Sequence, residues 1–255
     1  MGKHGKALCD NFRRYFSIHL ALSEKQIQQV YRIRYDVYCA ELGFEPVDKF
    51  PNKTEHDQFD NRSLHALITH KSSQKPAGCV RIIQTEDSMD AQPLPLEKYC
   101  YKNLHIEAAE ILGNERHSVC EVSRLAVAPF FRRRFGETRS QLGGWGAVDI
   151  CENEKRTFSL IAEAGFIAST AMAKLTGRDH MFAMMEPMLP RLLWRSGIHY
   201  HPVGEEVNYR GLRKPYMATV GSFEQHLRSN LRELYHYIYH QFDLDLSANK
   251  KSACF

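Results

Sequence analysis

The chain has no disulfide framework and no zinc knuckle to read. Its seven cysteines are odd in number, widely scattered and never in a C-x-x-C pair, a usage that fits a reducing compartment. No apolar run approaches the ~20 residues that cross a bilayer. The first fifteen residues carry Arg13 and Arg14 but no apolar h-region, so they do not read as a signal peptide, and the expectation is a cytoplasmic protein. Internal repeats and low-complexity blocks are absent. A net charge of +4 and a pI near 8.6 are too mild for a dedicated nucleic-acid binder, yet they suit an acidic partner or a phosphate-bearing substrate. His199 with His201, and His236 with His240, lack the carboxylate or cysteine that would complete a metal site, so no metal is expected. There is no Gly-x-Ser-x-Gly elbow, and no base near Cys120 or Ser123 supports an acyl-enzyme.

What remains is a chain of 255 residues, 43% hydrophobic, enough to fill a sizeable core. Residues 15–21 read as a first strand, ended by Ser23. Ser23 and Gln26 form a capping box for a helix over residues 24–42, which Gly43 closes. Residues 45–63 are polar and proline-interrupted, a long loop with the acids Glu55, Asp57 and Asp60. Strands follow at 64–70 and 78–83, an irregular connection at 86–104, a weak helix at 105–112, and a central strand that dissolves at Pro129. Residues 137–157 are Gly-rich and ambiguous. The run 158–175 is apolar nearly all round and predicts a buried helix. A strand at 180–185, a helix from Pro187 to Gly197, a strand at 198–203 and another at 216–220 come next. A last amphipathic helix spans 222–242, with Phe223, Leu227, Leu231, Leu234, Ile238 and Phe242 on one face, and the final ten residues form a tail. That apolar face either closes the core or meets a second copy in a homodimer.

The informative residues are charges in the wrong places. Glu121 and Arg124 lie within the central strand, where an unpaired buried charge costs several kcal/mol, roughly, so they are paired or used. Arg81 is a second charge on a strand. Arg34 interrupts the apolar stripe of the first predicted helix; it either snorkels at the stripe's edge, the commoner case, or points inward beside Tyr38 to hold a carboxylate. Past the central strand, Arg132, Arg133, Arg134 and Gly136 make a basic turn able to receive phosphate, or simply a solvated loop.

The element order, with a charged central strand running into an Arg/Gly turn and a helix, is similar to that of the GNAT acyltransferases. It implies an α/β fold, a mixed central sheet with helices on both faces over residues 1–221, plus a C-terminal amphipathic helix at 222–255. Four blocks in order, Arg34 with Tyr38 and Phe44, then Glu55-His-Asp57-Gln-Phe-Asp60, then Gly78-Cys-Val-Arg81, then Glu121-Val-Ser-Arg124, resemble the signature of the acyl-homoserine-lactone (autoinducer) synthases and N-acyl amino acid synthases. Residues 34–45, Pro93-Leu-Pro-Leu-Glu97, Met185-Glu-Pro-Met-Leu189 and Gly197-Ile-His199 resemble blocks of the PEP-CTERM/exosortase-associated acyltransferases. Phe44 stands where the lactone synthases usually carry Trp.

The resemblance implies an N-acyltransferase that moves a fatty acyl chain from a thioester onto an amine, with no tightly bound cofactor. The alternatives are lactone synthesis from S-adenosylmethionine, or a non-catalytic acyl-carrier or lipid-binding module. Glu121, if burial raises its pKa, takes the amine's proton. Backbone N–H groups near Leu125, Ala126 and Val127 face the thioester carbonyl, worth about 2.7 to 4 kcal/mol as an oxyanion hole. Arg34, Asp57, Asp60 and Arg81 are required by resemblance, and physically they read as an ionic network that orders the first helix and loop over the site, while Arg124 balances or orients the acidic loop. Tyr38, Phe44, Phe166 and Met184 are expected to line the substrate site, with Met172 and Met181 either as further walls or, as is commoner for methionines, as ordinary core. Arg133 and Gly136 fit the first half of the GNAT phosphate signature, but Thr138 stands where a second small residue is expected. The single phosphate and acidic surface of an acyl carrier protein therefore suit Arg132–Arg134 better than coenzyme A does.

Overall fold

A computed structural model describes residues 3–85, 92–132 and 152–252. The chain opens with a helix that the sequence reading did not foresee, α1 (Lys3–Tyr15), which buries Cys9 and Phe12. Strand β1 (Phe16–Leu20) follows with alternate residues buried. Helix α2 (Glu24–Arg34) starts at the expected capping box, with Ser23 N–H donating to Gln26 Oε1 (3.0 Å) and Gln26 N–H to Ser23 Oγ (3.3 Å). It does not continue as α-helix to residue 42. Residues Tyr35–Glu41 widen into a π-helical turn, and Gly43 ends the segment at φ +62°.

The remaining strands are β2 (Ser63–His70), β3 (Lys75–Gln84), β4 (Val119–Val127), β5 (His180–Met185), β6 (His201–Pro202), β7 (Val207–Asn208) and β8 (Leu212–Thr219). The sheet order is β1-β2-β3-β4-β5-β8-β6, with β7 on β8. Every pair is antiparallel except β4 with β5. The expected strand at 198–203 shrinks to two residues, whereas the one at 216–220 begins earlier, at Leu212. The helices after β3 are α3 (Pro95–Cys100), α4 (Ile106–Asn114), α5 (Pro129–Arg132), α6 (Glu152–Thr157), α7 (Leu160–Leu175), α8 (Leu189–Trp194), α9 (Val220–His226) and α10 (Ser229–Ser252).

Helices cover both faces, and β3 shows how. Side chains alternate along a strand, so Gly78 and Arg81 point to opposite sides. At Gly78 the Ile161 side chain of α7 closes to 2.8 Å of where a Cβ would sit. Arg81 instead joins the ionic network of α2 and the loop after it. A Cβ at Gly165 would lie 2.2 Å from Leu125 Cδ1, so α7 rests directly on β4.

Two irregularities in β4 make the site. Arg124 has φ +52°, and the β3–β4 register slips between Cys79 and Arg81, which places a bulge at Arg124–Leu125. Strand β5 stays with β4 only over Val119–Val122, then carries on with β8 through Met184 and Met185. Beyond Val122 the two parallel strands part.

The C-terminus departs from the single helix over 222–242. Leu227 breaks it into α9 and α10, and α10 continues through the expected tail to Ser252. Phe223, Leu227, Leu231, Leu234, Ile238 and Phe242 are all buried, in a face packed against α7, α1 and β1. That face closes the core. No helix among the described residues is long and apolar enough to cross a membrane.

Candidate active site

Arg34 points inward. It is fully buried, with Nε donating to Glu55 Oε2 (2.5 Å) and its two terminal nitrogens to Asp60 (2.7 and 3.2 Å). The snorkelling alternative is thereby excluded. Arg81 Nη1 donates to Asp57 Oδ1 (2.7 Å) and Asp60 Oδ1 (2.8 Å), and its Nε to Ser123 Oγ (3.0 Å). Arg124 reaches Glu55, Asp57 and Glu45, at 3.1 Å for the Glu45 contact. Arg210, on the loop before β8, meets the same Glu45 oxygen at 2.5 Å. Burial alone would raise the carboxyls, but Arg34 and Arg124 outweigh it and hold Glu55 at about 2, and Arg34 and Arg81 depress Asp60 further. His65, packed against this network, is driven down to about 3 by burial and then by Arg34, so it is neutral; neither ring nitrogen has a hydrogen-bond partner among the described residues.

Glu121 stands apart from these pairs. Arg124 makes no ion pair with it, because the bulge turns Arg124 toward the acidic loop. Its Oε2 accepts the Leu96 N–H at the start of α3 (2.8 Å), and burial pushes its carboxyl up to about 8, against the milder pull of that bond and of Arg81 and Arg124. A carboxyl held there is mostly protonated at neutral pH, and its ionised fraction is a stronger base than an ordinary carboxylate.

Where β4 and β5 part, a cleft of about 850 Å³ opens. Glu121, Ser123, Arg124, Leu125, Arg81 and Asp57 line it. So do the four expected substrate residues, Tyr38, Phe44, Phe166 and Met184, with Val122 and Ala183 extending the apolar part. Arg34 and Asp60 lie behind it, buried within the network. Met172 and Met181 are core residues with no surface in the cleft, which corrects their reading as walls. Of the three backbone positions, Leu125 lines the cleft, and its carbonyl accepts from Tyr38 OH at 2.6 Å. In a trans peptide the next N–H points the other way, and the Ala126 amide meets the Cys79 sulfur on β3. Ala126 and Val127 are not part of the lining.

Arg132 does not face the cleft either: it donates to the Val127 carbonyl (2.8 Å) and pairs with Glu41 of the π-helical turn. Arg133, Arg134 and Gly136 lie outside the described residues. The sequence reading missed Glu45 and Arg210, which share one contact, and it placed Glu55 in the acidic loop without assigning it to the site. Glu55 had a local signal in its spacing to Asp57 and Asp60. Arg210 had none, since its partner is distant in sequence.

Residues 33–139 match the family model described as an acetyltransferase (GNAT) domain. No curated protein matches the chain in sequence. Among solved structures it is similar to TofI, determined in a ternary complex with an inhibitor and MTA, at 18% identity and a TM-score of 0.56, over 82% of this chain and 96% of that one. It is similar to BjaI, a CoA-dependent acyl-homoserine lactone synthase determined with MTA, at 16% identity and a TM-score of 0.56, over 88% and 89%. It is also similar to FeeM, an N-acyl amino acid synthase from uncultured soil microbes, at 14% identity and a TM-score of 0.53, over 83% and 94%. At these identities the likeness is one of fold: the chain is GNAT-like, and the stretch that matches the GNAT domain runs from α2 through β4, the elements that supply Arg34, Arg81, Glu121 and Arg124.

Proposed function

We propose that the protein moves a fatty acyl group from a thioester, carried by acyl carrier protein or by coenzyme A, to the amino group of a small acceptor such as an amino acid, by direct attack. One observation carries this reading: a buried carboxyl at about 8, with no ion pair among the described residues, set in the cleft where β4 leaves β5. The amine nitrogen bonds to the thioester carbonyl carbon as Glu121 takes its proton. The carbon–sulfur bond then breaks, the nitrogen keeps its remaining hydrogen as the amide N–H, and the proton held by Glu121 passes to the thiolate as it leaves. The thioester lies at the β4 bulge against Leu125, and Val122, Phe166, Ala183 and Met184 take the start of the acyl chain. The ionic network of Arg34, Arg81 and Arg124 with the acidic loop touches no reacting atom in this scheme; it fixes the walls. FeeM and BjaI, which share the fold, are named for acyl transfer to small acceptors, which supports the class of reaction.

The test supplies long-chain acyl carrier protein and acyl-coenzyme A in turn, with mixed amino acids, and follows acylated product and free thiol by mass spectrometry. Product is expected from the native chain, and Glu121→Gln is expected to lower turnover about 10²- to 10⁴-fold while thioester binding persists. Neither product nor thiol release with either carrier would sink the proposal. Methylthioadenosine released from added S-adenosylmethionine would move the protein to lactone synthesis instead.

A further inference from the structure

Four arginines on the cleft wall belong to one ladder of rings and guanidiniums or to its neighbours, and they are not equally neutralised. The Arg124 guanidinium lies over the Tyr38 ring at 5.4 Å, Tyr38 stacks on Phe44 with centroids 6.5 Å apart, and Arg213 lies over the other aromatic, Phe44, at 5.4 Å. Arg124 at one end has three carboxylates, Arg81 beside it has two, and Arg210 has the buried Glu45. Arg213 at the far end has only Glu186, at 3.2 Å through Nη1, and that glutamate is 65% exposed, so the pair adds little. Nη1 also donates to the Leu212 carbonyl (3.0 Å), whereas Nε and Nη2 have no partner among the described residues. The side chain is nonetheless held: it is 14% exposed, its guanidinium lies over Phe44, and it is rooted in β8. Lys98 of α3 lines the same cleft, forms no ion pair among the described residues, and sits over the Tyr99 ring at 5.5 Å.

A fixed guanidinium with an open edge matches a carboxylate, which accepts two parallel N–H bonds, better than it matches any neutral group. We infer that Arg213, with Lys98 of the same cleft as a second cation, holds the carboxylate of the acceptor, so that the acceptor is an amino acid with a free α-carboxylate and not a simple amine or an amide. The inference rests on the acyl-transfer reading and sharpens it: Arg213 grips one end of the acceptor while Glu121, on the β4 side of the same cleft, serves its amine. The mouth then selects against acceptors that leave Arg213 unpaired.

The experiment compares the twenty common α-amino acids with their α-amides as acceptors, using whichever acyl thioester the native chain accepts, and measures binding of the same compounds by calorimetry. The native chain is expected to prefer acids to amides. Arg213→Gln is expected to raise KM for acids about 10- to 100-fold, to leave kcat/KM for amides unchanged and so to erase the preference. Arg213→Lys keeps the charge without the fork and should restore part of it, and a smaller loss is expected from Lys98→Gln. Equal use of acids and amides by the native chain overturns the inference. So does an Arg213→Gln variant whose defect lies in KM for the thioester, because the guanidinium would then serve the carrier's phosphate. If no acceptor of any kind is acylated, the transferase reading fails, and calorimetry decides the clamp alone: acid binding lost in Arg213→Gln upholds it, and no acid binding by the native chain ends it.

Discussion

Glu121 is a carboxyl without a guanidinium of its own. The guanidiniums of Arg81 and Arg124 are taken up by Asp57, Asp60, Glu45 and Glu55, so burial dominates and raises Glu121 from 4.5 to about 8. Between those two values the unfolded chain has released a proton that the folded chain keeps, so this group's contribution to stability is complete below about pH 4.5 and is lost as pH rises toward 8. Glu55 has the opposite sign: its folded value is depressed to about 2, so its contribution is present above about pH 4.5 and is lost as pH falls toward 2. Glu121→Gln is therefore expected to flatten the decline on the alkaline side and to be more stable than the native chain at pH 8, by roughly 2 to 4 kcal/mol, even as it loses turnover. Urea denaturation at pH 5 and pH 8 reads the difference. A variant that kept the native slope would mean that Glu121 does not titrate between pH 5 and 8, so that burial has not raised its carboxyl to about 8.

The loop at residues 45–62 contains only two short 3₁₀ turns, and Asp60 is its anchor. One carboxylate accepts from Arg34 twice, from Arg81 and from the Asp57 N–H (2.7 Å). Removing its charge leaves two buried guanidiniums short of a partner, so Asp60→Asn is expected to cost about 3 to 5 kcal/mol and to open the loop to protease at folded-state temperatures. Unchanged stability and protection would show that Glu55 and Asp57 hold the loop without it. This element also marks the limit of what the sequence discloses. The Ser23–Gln26 box was readable because cause and effect lie three residues apart, and Glu121, Arg81 and Arg124 were readable because a charge inside a strand pattern needs a reason. The π-helical turn at Tyr35–Glu41 was not, since nothing local in that stretch opposes an α-helix; it is the segment from which Tyr38 reaches the Leu125 carbonyl. Arg34 was readable only as a choice, because helix periodicity says which face a residue shares and not whether acids arrive from elsewhere to meet it. Arg210 and Arg213 came from a stretch with no periodicity at all, placed by the β7–β8 pairing.

On the scale of the whole molecule, the sheet is opened at one place and must be held closed at every other. The parting of β4 from β5 forfeits ladder hydrogen bonds in the middle of the fold, and α7 backs the gap by lying directly on β4 at Gly165. Helix α10 in turn packs on α7, α1 and β1, so the C-terminal helix supports the helix that supports the cleft. Its apolar residues were equally consistent with a core face and a seam between copies, because amphipathic spacing is the same in both cases. Phe242 separates them. It is fully buried within one chain, so Phe242→Ala should cost about 3 to 5 kcal/mol as a cavity in the core. Because the contact lies inside one chain, the thermal midpoints of native and variant proteins should each stay constant over about a hundredfold range of protein concentration, with the gap between them fixed. A seam between copies behaves differently: both midpoints would climb with concentration by mass action, and the variant would dissociate before it unfolds.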